Sequence, residues 1–155
     1  MSNRLTAGQQ APDFTLSDSG GNRLALADLR GGRAVVYFYP KAFTPGCTTE
    51  ACDFRDNHEA LAAKGYRVIG ISGDDPQTLR SFAQEHELPF TLLSDPGSEV
   101  AQAWGAWGER EINGEVSVGP LRSTFLLSED GVIESAEYKV GVPGHVENLL
   151  GAARS

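Results

Sequence analysis

The chain has little of what would bind a nucleic acid, cross a membrane or staple a small fold. It contains only two cysteines among 155 residues. Its histidines, His58, His86 and His145, are scattered without ligand spacing, and two thiolates alone leave a tetrahedral zinc short of ligands. No Lys/Arg run appears, and the net charge is −8, so neither nucleic acid nor an acidic membrane is an expected partner. No apolar stretch approaches the length of a membrane span. The first residues, Met1-Ser2-Asn3-Arg4-Leu5, carry no apolar signal core. The expected compartment is therefore the cytoplasm, where structural disulfides are rare. No repeat, linker or low-complexity tract divides the chain, and no phosphate loop, dinucleotide fingerprint or Ser-His-Asp order stands out. With 155 residues, 40% of them hydrophobic, a single domain over 1–155 with its own core is expected.

What the chain does have is concentrated in one run. Cys47 and Cys52 lie in Pro40-Lys41-Ala42-Phe43-Thr44-Pro45-Gly46-Cys47-Thr48-Thr49-Glu50-Ala51-Cys52, directly after the apolar segment Ala34-Val35-Val36-Tyr37-Phe38-Tyr39. A strand, a Thr-Pro-Gly loop and a thiol at a helix start make a reactive cysteine. The thiolate is the nucleophile, and a helix N-terminus favours it. A pair of inert core thiols fits less well, because Cys47 follows a loop and does not sit within an apolar stripe.

The rest of the pattern alternates strands and helices. Ala11–Leu16 reads as an opening strand, and Arg23–Leu26 as its hairpin partner across the turn cluster 18–22. Ala34–Tyr39 is a buried strand. Gly46–Lys64 turns helical, with Ala51, Phe54, His58, Leu61 and Ala62 near one face and Gly65 placed to stop it. Tyr66–Ser72 is a second core strand. Asp75-Pro76 then caps a helix with the stripe Leu79, Phe82 and Ala83. Phe90–Leu93 is a third strand, followed by a short helix near Glu99–Trp104. Arg122–Leu127 and Val132–Tyr138 flank the turn Glu129-Asp130-Gly131, a hairpin signal. His145–Arg154 closes the chain as a helix. This order predicts an α/β fold of thioredoxin-like type: a central mixed β-sheet flanked by helices, with N-terminal β additions. In open sheets of this kind, sites form at the carboxyl ends of strands, where Ala34–Tyr39 delivers the cysteine loop.

A thiol that attacks peroxide needs to be a thiolate. It also needs donors for the developing oxyanion and a way back from the sulfenic acid. Cys47 in a first helical turn meets the first need, and Arg122, opening a late strand, is a candidate cation. Thr44 offers a hydroxyl as donor and acceptor. Pro40 and Pro45 shield and stiffen the loop. Cys52 supplies the way back. In an unbroken helix, positions five apart have Cα atoms roughly 8–9 Å apart and project about 140° apart. A disulfide needs them within about 7 Å, so a Cys47–Cys52 bridge requires the first turns to unwind.

Pro40-x-x-x-Thr44-x-x-Cys47 with a distant arginine resembles the peroxiredoxin signature. The run Tyr39 to Cys52 resembles the peroxiredoxin Q, or bacterioferritin comigratory protein, subfamily. Further likenesses are Ala11–Leu16, Ile71-Ser72 with Phe82, Leu93-Ser94-Asp95, and Arg122–Leu126 before Asp130-Gly131. The resemblance spans nearly the whole chain. It implies reduction of hydrogen peroxide and organic hydroperoxides without metal or organic cofactor. Cys47 would then be the peroxidatic and Cys52 the resolving cysteine. Thr44 and Arg122 would bind peroxide and activate the thiol, and Pro40 would shape the pocket. Thioredoxin or a similar dithiol would reduce the resulting intramolecular disulfide. It also implies a monomer, with an aromatic patch near Trp104 or Phe43 as support for a dimer instead.

Other readings stand beside this one. A disulfide oxidoreductase on the same fold usually spaces its cysteines two residues apart, and here four intervene. A redox sensor would use the same disulfide as a switch. The residues alone make Arg122 a surface ion-pair residue and Thr44 a turn residue; the resemblance gives Arg122 its role. Glu50 reads either as an orienter of an arginine or as a solvated helix charge. Trp104 and Trp107 with Phe43 read as packing before a substrate mouth. Asp74-Asp75 reads as a turn and a cap.

Overall fold

The computed structural model describes residues 4–112, 114–142 and 144–152. In chain order the strands are β1 (Thr15–Asp18), β2 (Arg23–Ala25), β3 (Arg33–Phe38), β4 (Tyr66–Ser72), β5 (Thr91–Ser94), β6 (Trp107–Ile112), β7 (Glu115–Pro120), β8 (Ser123–Leu127) and β9 (Ile133–Glu137). The helices are α1 (Pro45–Asp56), α2 (His58–Ala63), α3 (Pro76–Glu85), α4 (Glu99–Ala103) and α5 (His145–Ala152). Seven strands form one mixed sheet in the order β2-β1-β5-β4-β3-β8-β9. Strands β3, β4 and β5 are parallel, so helical crossovers must join them: α1 and α2 between the first two, α3 between the last two. Strand β8 runs antiparallel to β3, with β9 beside it. Among the described residues, strands β6 and β7 pair only with each other, as a separate ribbon.

The apolar run in β3 follows from burial on both faces. Successive side chains alternate sides. Val35 and Tyr37, with Tyr39 beyond the strand, join Phe54, Leu61, Leu79, Phe82 and Leu149 under the helices α1, α2, α3 and α5. Val36 and Phe38 enter the opposite layer with Ile69, Ile71, Phe125 and Trp104. The Trp104 indole is wholly buried, and its Nε1 donates to the Pro12 carbonyl at 3.1 Å. Trp104 is therefore packing and not a substrate mouth.

The expected mixed sheet flanked by helices is present, with β1 and β2 as the N-terminal additions. Three features differ from expectation. The opening strand read over Ala11–Leu16 is β1 at Thr15–Asp18, with positions 11–14 outside any strand. The helix read over Gly46–Lys64 is two helices, because the chain turns at Asn57 (φ −108°, ψ 8°), whose amide side chain donates back to the Asp53 carbonyl at 2.8 Å. Ala62 accordingly faces outward. The ribbon β6–β7 was not expected at all. Strand β6 carries Glu109, Arg110 and Glu111, which hide the alternation of a buried strand; the dipeptide Asn113-Gly114 is the hairpin signal that marks it in the sequence. Gly65 (φ 85°) ends α2 as expected, and Asp75 caps α3 by accepting from Thr78 N at 2.7 Å. The closing helix is described to Ala152; its expected extension to Arg154 lies outside the described residues.

Candidate active site

The cysteine loop leaves the carboxyl end of β3 beside that of β4. Because Phe38 at the end of β3 pairs with Ser123 at the start of β8, the preceding Arg122 arrives at the same edge of the sheet. Three residues of the loop are held in place by identifiable contacts. Ala42 N donates to Asp74 Oδ2 at 2.8 Å, and Ser72 Oγ donates to the same oxygen at 2.7 Å. Asp74 therefore ties the loop to β4, a role beyond the turn read from sequence. Phe43 adopts φ 66°, uncommon for a bulky residue, and its ring meets Phe82 edge-on at 5.1 Å. Pro45 opens α1 at its first position, and Thr48 N is bonded to Thr44 O at 2.9 Å.

Cys47 thus occupies the third residue of α1, among the N–H groups that have no partner within the helix. It is only 1% exposed. Arg122 Nη2 donates to Cys47 Sγ at 3.3 Å, and Nη1 donates to Glu50 Oε1 at 2.6 Å. One guanidinium therefore spans the thiol and a carboxylate one turn further along α1. Glycine at 46 makes this approach feasible: a Cβ there would lie 3.1 Å from Arg122 Nη2.

Glu50 is 0% exposed, so the solvated reading fails and the orienting one holds. Burial lifts its carboxyl from 4.5 to about 7, with Arg122 opposing the rise. Burial alone would lower the Arg122 pKa, but the charges of Glu50 and Cys47 outweigh it and raise it, so the guanidinium stays charged. Tyr37 lies beneath, stacked on Phe54 at 4.5 Å, its phenol kept neutral chiefly by burial.

The structure brings Cys47, Arg122 and Glu50 into direct contact. Pro40 and Arg122 line one groove of about 520 Å³. Thr44 is the residue before α1, and its hydroxyl donates to Lys41 O at 2.7 Å, leaving its lone pairs as acceptors. Cys52 lies half-buried on the same unbroken helix, and both thiols are free. His145, by contrast, is a buried packing residue between Thr124 (2.9 Å) and Glu137 (3.5 Å). Among the described residues, no three His, Cys, Asp or Glu side chains group to hold a metal.

A buried thiol at a helix start that accepts a guanidinium N–H on its sulfur is placed as a candidate nucleophile. The AhpC/TSA family pattern matches residues 7–136. The chain belongs to the AhpC/TSA family. Within that family it sides with the peroxiredoxin Q and Bcp enzymes. It is 48% identical over 132 residues to the peroxiredoxin Bcp of Escherichia coli K12, covering 85% of each chain. It is 53% identical over 146 residues to a Mycobacterium tuberculosis H37Rv protein provisionally named a peroxiredoxin, covering 94% of this chain and 93% of that one. Its structure superposes on Xanthomonas campestris peroxiredoxin Q with a TM-score of 0.87 at 36% identity, over 95% of this chain and 96% of that one. As an AhpC/TSA member it has the thioredoxin-like fold and is a peroxiredoxin enzyme, acting on peroxides with a thiol reductant. No helix of the described residues is long and apolar enough to cross a membrane.

Proposed function

We propose that this peroxiredoxin reduces hydrogen peroxide and organic hydroperoxides through Cys47 and Cys52. The observation that carries the reading is the Arg122 Nη2–Cys47 Sγ contact of 3.3 Å at the first turn of α1. The Cys47 thiolate attacks the terminal peroxide oxygen. The S–O bond forms as the O–O bond breaks, and the alkoxide or hydroxide leaves and takes up a proton. Arg122 spreads the charge that grows on the leaving oxygen, and the Thr44 lone pairs accept the peroxide O–H. Pro40 walls the mouth. Cys47 becomes a sulfenic acid. Cys52 then attacks that sulfur, water leaves, and an intramolecular disulfide results. Thioredoxin or a similar dithiol restores both thiols by exchange. The X. campestris bacterioferritin comigratory protein, 35% identical, has a structure described for alkyl peroxide reduction, which supports the organic substrates. The chain works as a single domain and monomer, with no metal or organic cofactor. The reducing cytoplasm would keep Cys47 and Cys52 as thiols.

Peroxide consumption by Cys47→Ser and Cys52→Ser variants tests this reading. Cys47→Ser is expected to be inert. Cys52→Ser is expected to react once, then to stall or depend on added small thiol. Full activity in Cys47→Ser overturns the assignment. A sensor would not turn over with excess peroxide and a thioredoxin system, whereas this enzyme does.

A further inference from the structure

The start of α1 lies between two fixed points. Upstream, Ala42 N is held by Asp74 Oδ2 at 2.8 Å, and Asp74 is itself bonded to Ser72 on β4. Downstream, Phe54 is fully buried and stacked on Tyr37 at 4.5 Å. A Cys47–Cys52 bond cannot form across an intact helix, so the chain between these points must change shape. Such changes are absorbed at a few dihedral angles. Immediately after the Ala42 tether, two of the candidates are locked. Thr44 is extended (φ −80°, ψ 151°), and the following proline holds it there. Pro45 has its φ fixed by its own ring. Gly46 already belongs to the turn that unwinds. Phe43 is left as the upstream joint.

Phe43 is also the strained residue of this loop. Its φ of 66° lies in the left-handed region, which glycine adopts freely and a bulky side chain adopts only at a cost. The Thr44 hydroxyl, bonded to Lys41 O at 2.7 Å, closes the turn around it. Its ring meets Phe82 edge-on at 5.1 Å and lies 6.4 Å from the His86 ring. The ring is still 45% exposed, so burial offsets the backbone cost only in part. Strain of this kind persists where the surrounding structure imposes it. Here one tie is the bond from Thr48 N to Thr44 O at 2.9 Å, which breaks when the first turn of α1 opens.

We propose that Phe43 is the hinge on which α1 opens for disulfide formation: its backbone relaxes from left-handed to extended as the first turn unwinds, and its ring on Phe82 holds the strained form until then. The proposal rests on Cys47 and Cys52 forming the disulfide. It adds no chemical step: the S–S bond forms as the S–O bond of the sulfenic acid breaks, and the hydroxide takes up a proton and leaves as water. Relief of strain makes opening easier, which favours disulfide formation over attack by a second peroxide on the sulfenic acid.

The test compares Phe43→Ala, Phe43→Gly and Phe43→Asn in the reduced, full-length protein. Each is mixed with hydrogen peroxide and quenched at intervals. Mass spectrometry separates the sulfenic acid, trapped with dimedone, from the disulfide. Alanine and glycine both lack the ring and differ in the cost of the left-handed backbone. From sulfenic acid to disulfide, Phe43→Ala is expected to be about fivefold faster than Phe43→Gly, the left-handed penalty less the extra freedom that glycine gains on opening. Phe43→Asn falls between them, because asparagine tolerates this region better than alanine. Oxidation of Cys47 itself is expected to be the same in all three. An alanine variant no faster than the glycine variant overturns the hinge, as does a difference confined to the oxidation of Cys47. If hydrogen peroxide fails to oxidise Cys47, or oxidises it without a Cys47–Cys52 disulfide in the native protein, the underlying reading falls and the hinge with it.

Discussion

Arg122 Nη1 sits 2.6 Å from Glu50 Oε1, and Glu50 has no contact with solvent. The pair sets the position of the arm that reaches Cys47. A buried carboxylate is costly, and one hydrogen-bonded guanidinium offsets only part of that cost. The second carboxylate oxygen, Oε2, has no partner among the described residues. Glu50 therefore holds the arginine at the expense of stability.

The pH dependence follows from this. The Glu50 carboxyl lies at about 7 when folded, against an ordinary value of 4.5. A raised folded-state value means that the folded chain binds the proton more tightly than the unfolded chain. Glu50 therefore favours folding most below pH 4.5, and that contribution is lost as pH rises to about 7. The span corresponds to on the order of 3 kcal/mol. In urea unfolding series, Glu50→Gln is expected to flatten the decline in stability across this window. The same variant should slow peroxide reduction at pH 8 by about tenfold, because the arginine loses its charged anchor. A slope identical in both proteins excludes Glu50 as its source.

Gly46→Ala is expected to move stability and activity in opposite directions. Alanine is favoured over glycine in a helix by about 1 kcal/mol. The added Cβ, however, meets Arg122 Nη2 at 3.1 Å, and that guanidinium is pinned from behind by Glu50. A shift of a few tenths of an ångström lengthens the contact to sulfur. The expected result is an unchanged or slightly raised Tm with at least about tenfold slower oxidation of Cys47 by hydrogen peroxide. Loss of both stability and activity would mean that the helix, not the arginine, had been disturbed.

Local signals revealed much of this architecture, and contacts made across the fold account for what they hid. The run Ala34–Tyr39 announced a buried strand because both of its faces are covered. Asp75-Pro76 announced a helix start because capping is local. Glu50 was ambiguous because its partner is 72 residues away, and only the antiparallel pairing of β8 with β3 brings Arg122 to it. Asp74 looked like a turn residue because its partner Ala42 N lies on a loop 32 residues earlier. The groove was hidden with the β6–β7 ribbon, whose charged side chains give no burial pattern to read.

Asp74→Ala tests the tether of the cysteine loop. The substitution removes the acceptor for Ala42 N and for Ser72 Oγ. Leaving a half-buried backbone donor without a partner costs about 1–3 kcal/mol. Chemical denaturation should show that loss, and amide exchange should rise at residues 41–44 while β4 remains protected. Retained protection at Ala42 would show that the tether is dispensable.

The disulfide form should carry a broken α1. In the dithiol form Pro45–Asp56 is one helix, with Cys47 and Cys52 five residues apart. Their Cα atoms are then roughly 8–9 Å apart, beyond the ~7 Å that a disulfide tolerates, and the side chains point to different sides. Closing the bond requires the first turn to open, which also withdraws Cys47 from Arg122. The rest of the helix is anchored by Phe54, fully buried and stacked on Tyr37 at 4.5 Å. Unwinding should therefore stop short of Phe54. Amide exchange after one equivalent of peroxide is expected to rise at least about tenfold at residues 47–52, where local opening becomes nearly free of cost, and to stay unchanged at 54–56. Cys52→Ser treated identically should show no rise, because a sulfenic acid on Cys47 fits the intact helix. Equal protection in the dithiol and disulfide forms contradicts the helix-opening step.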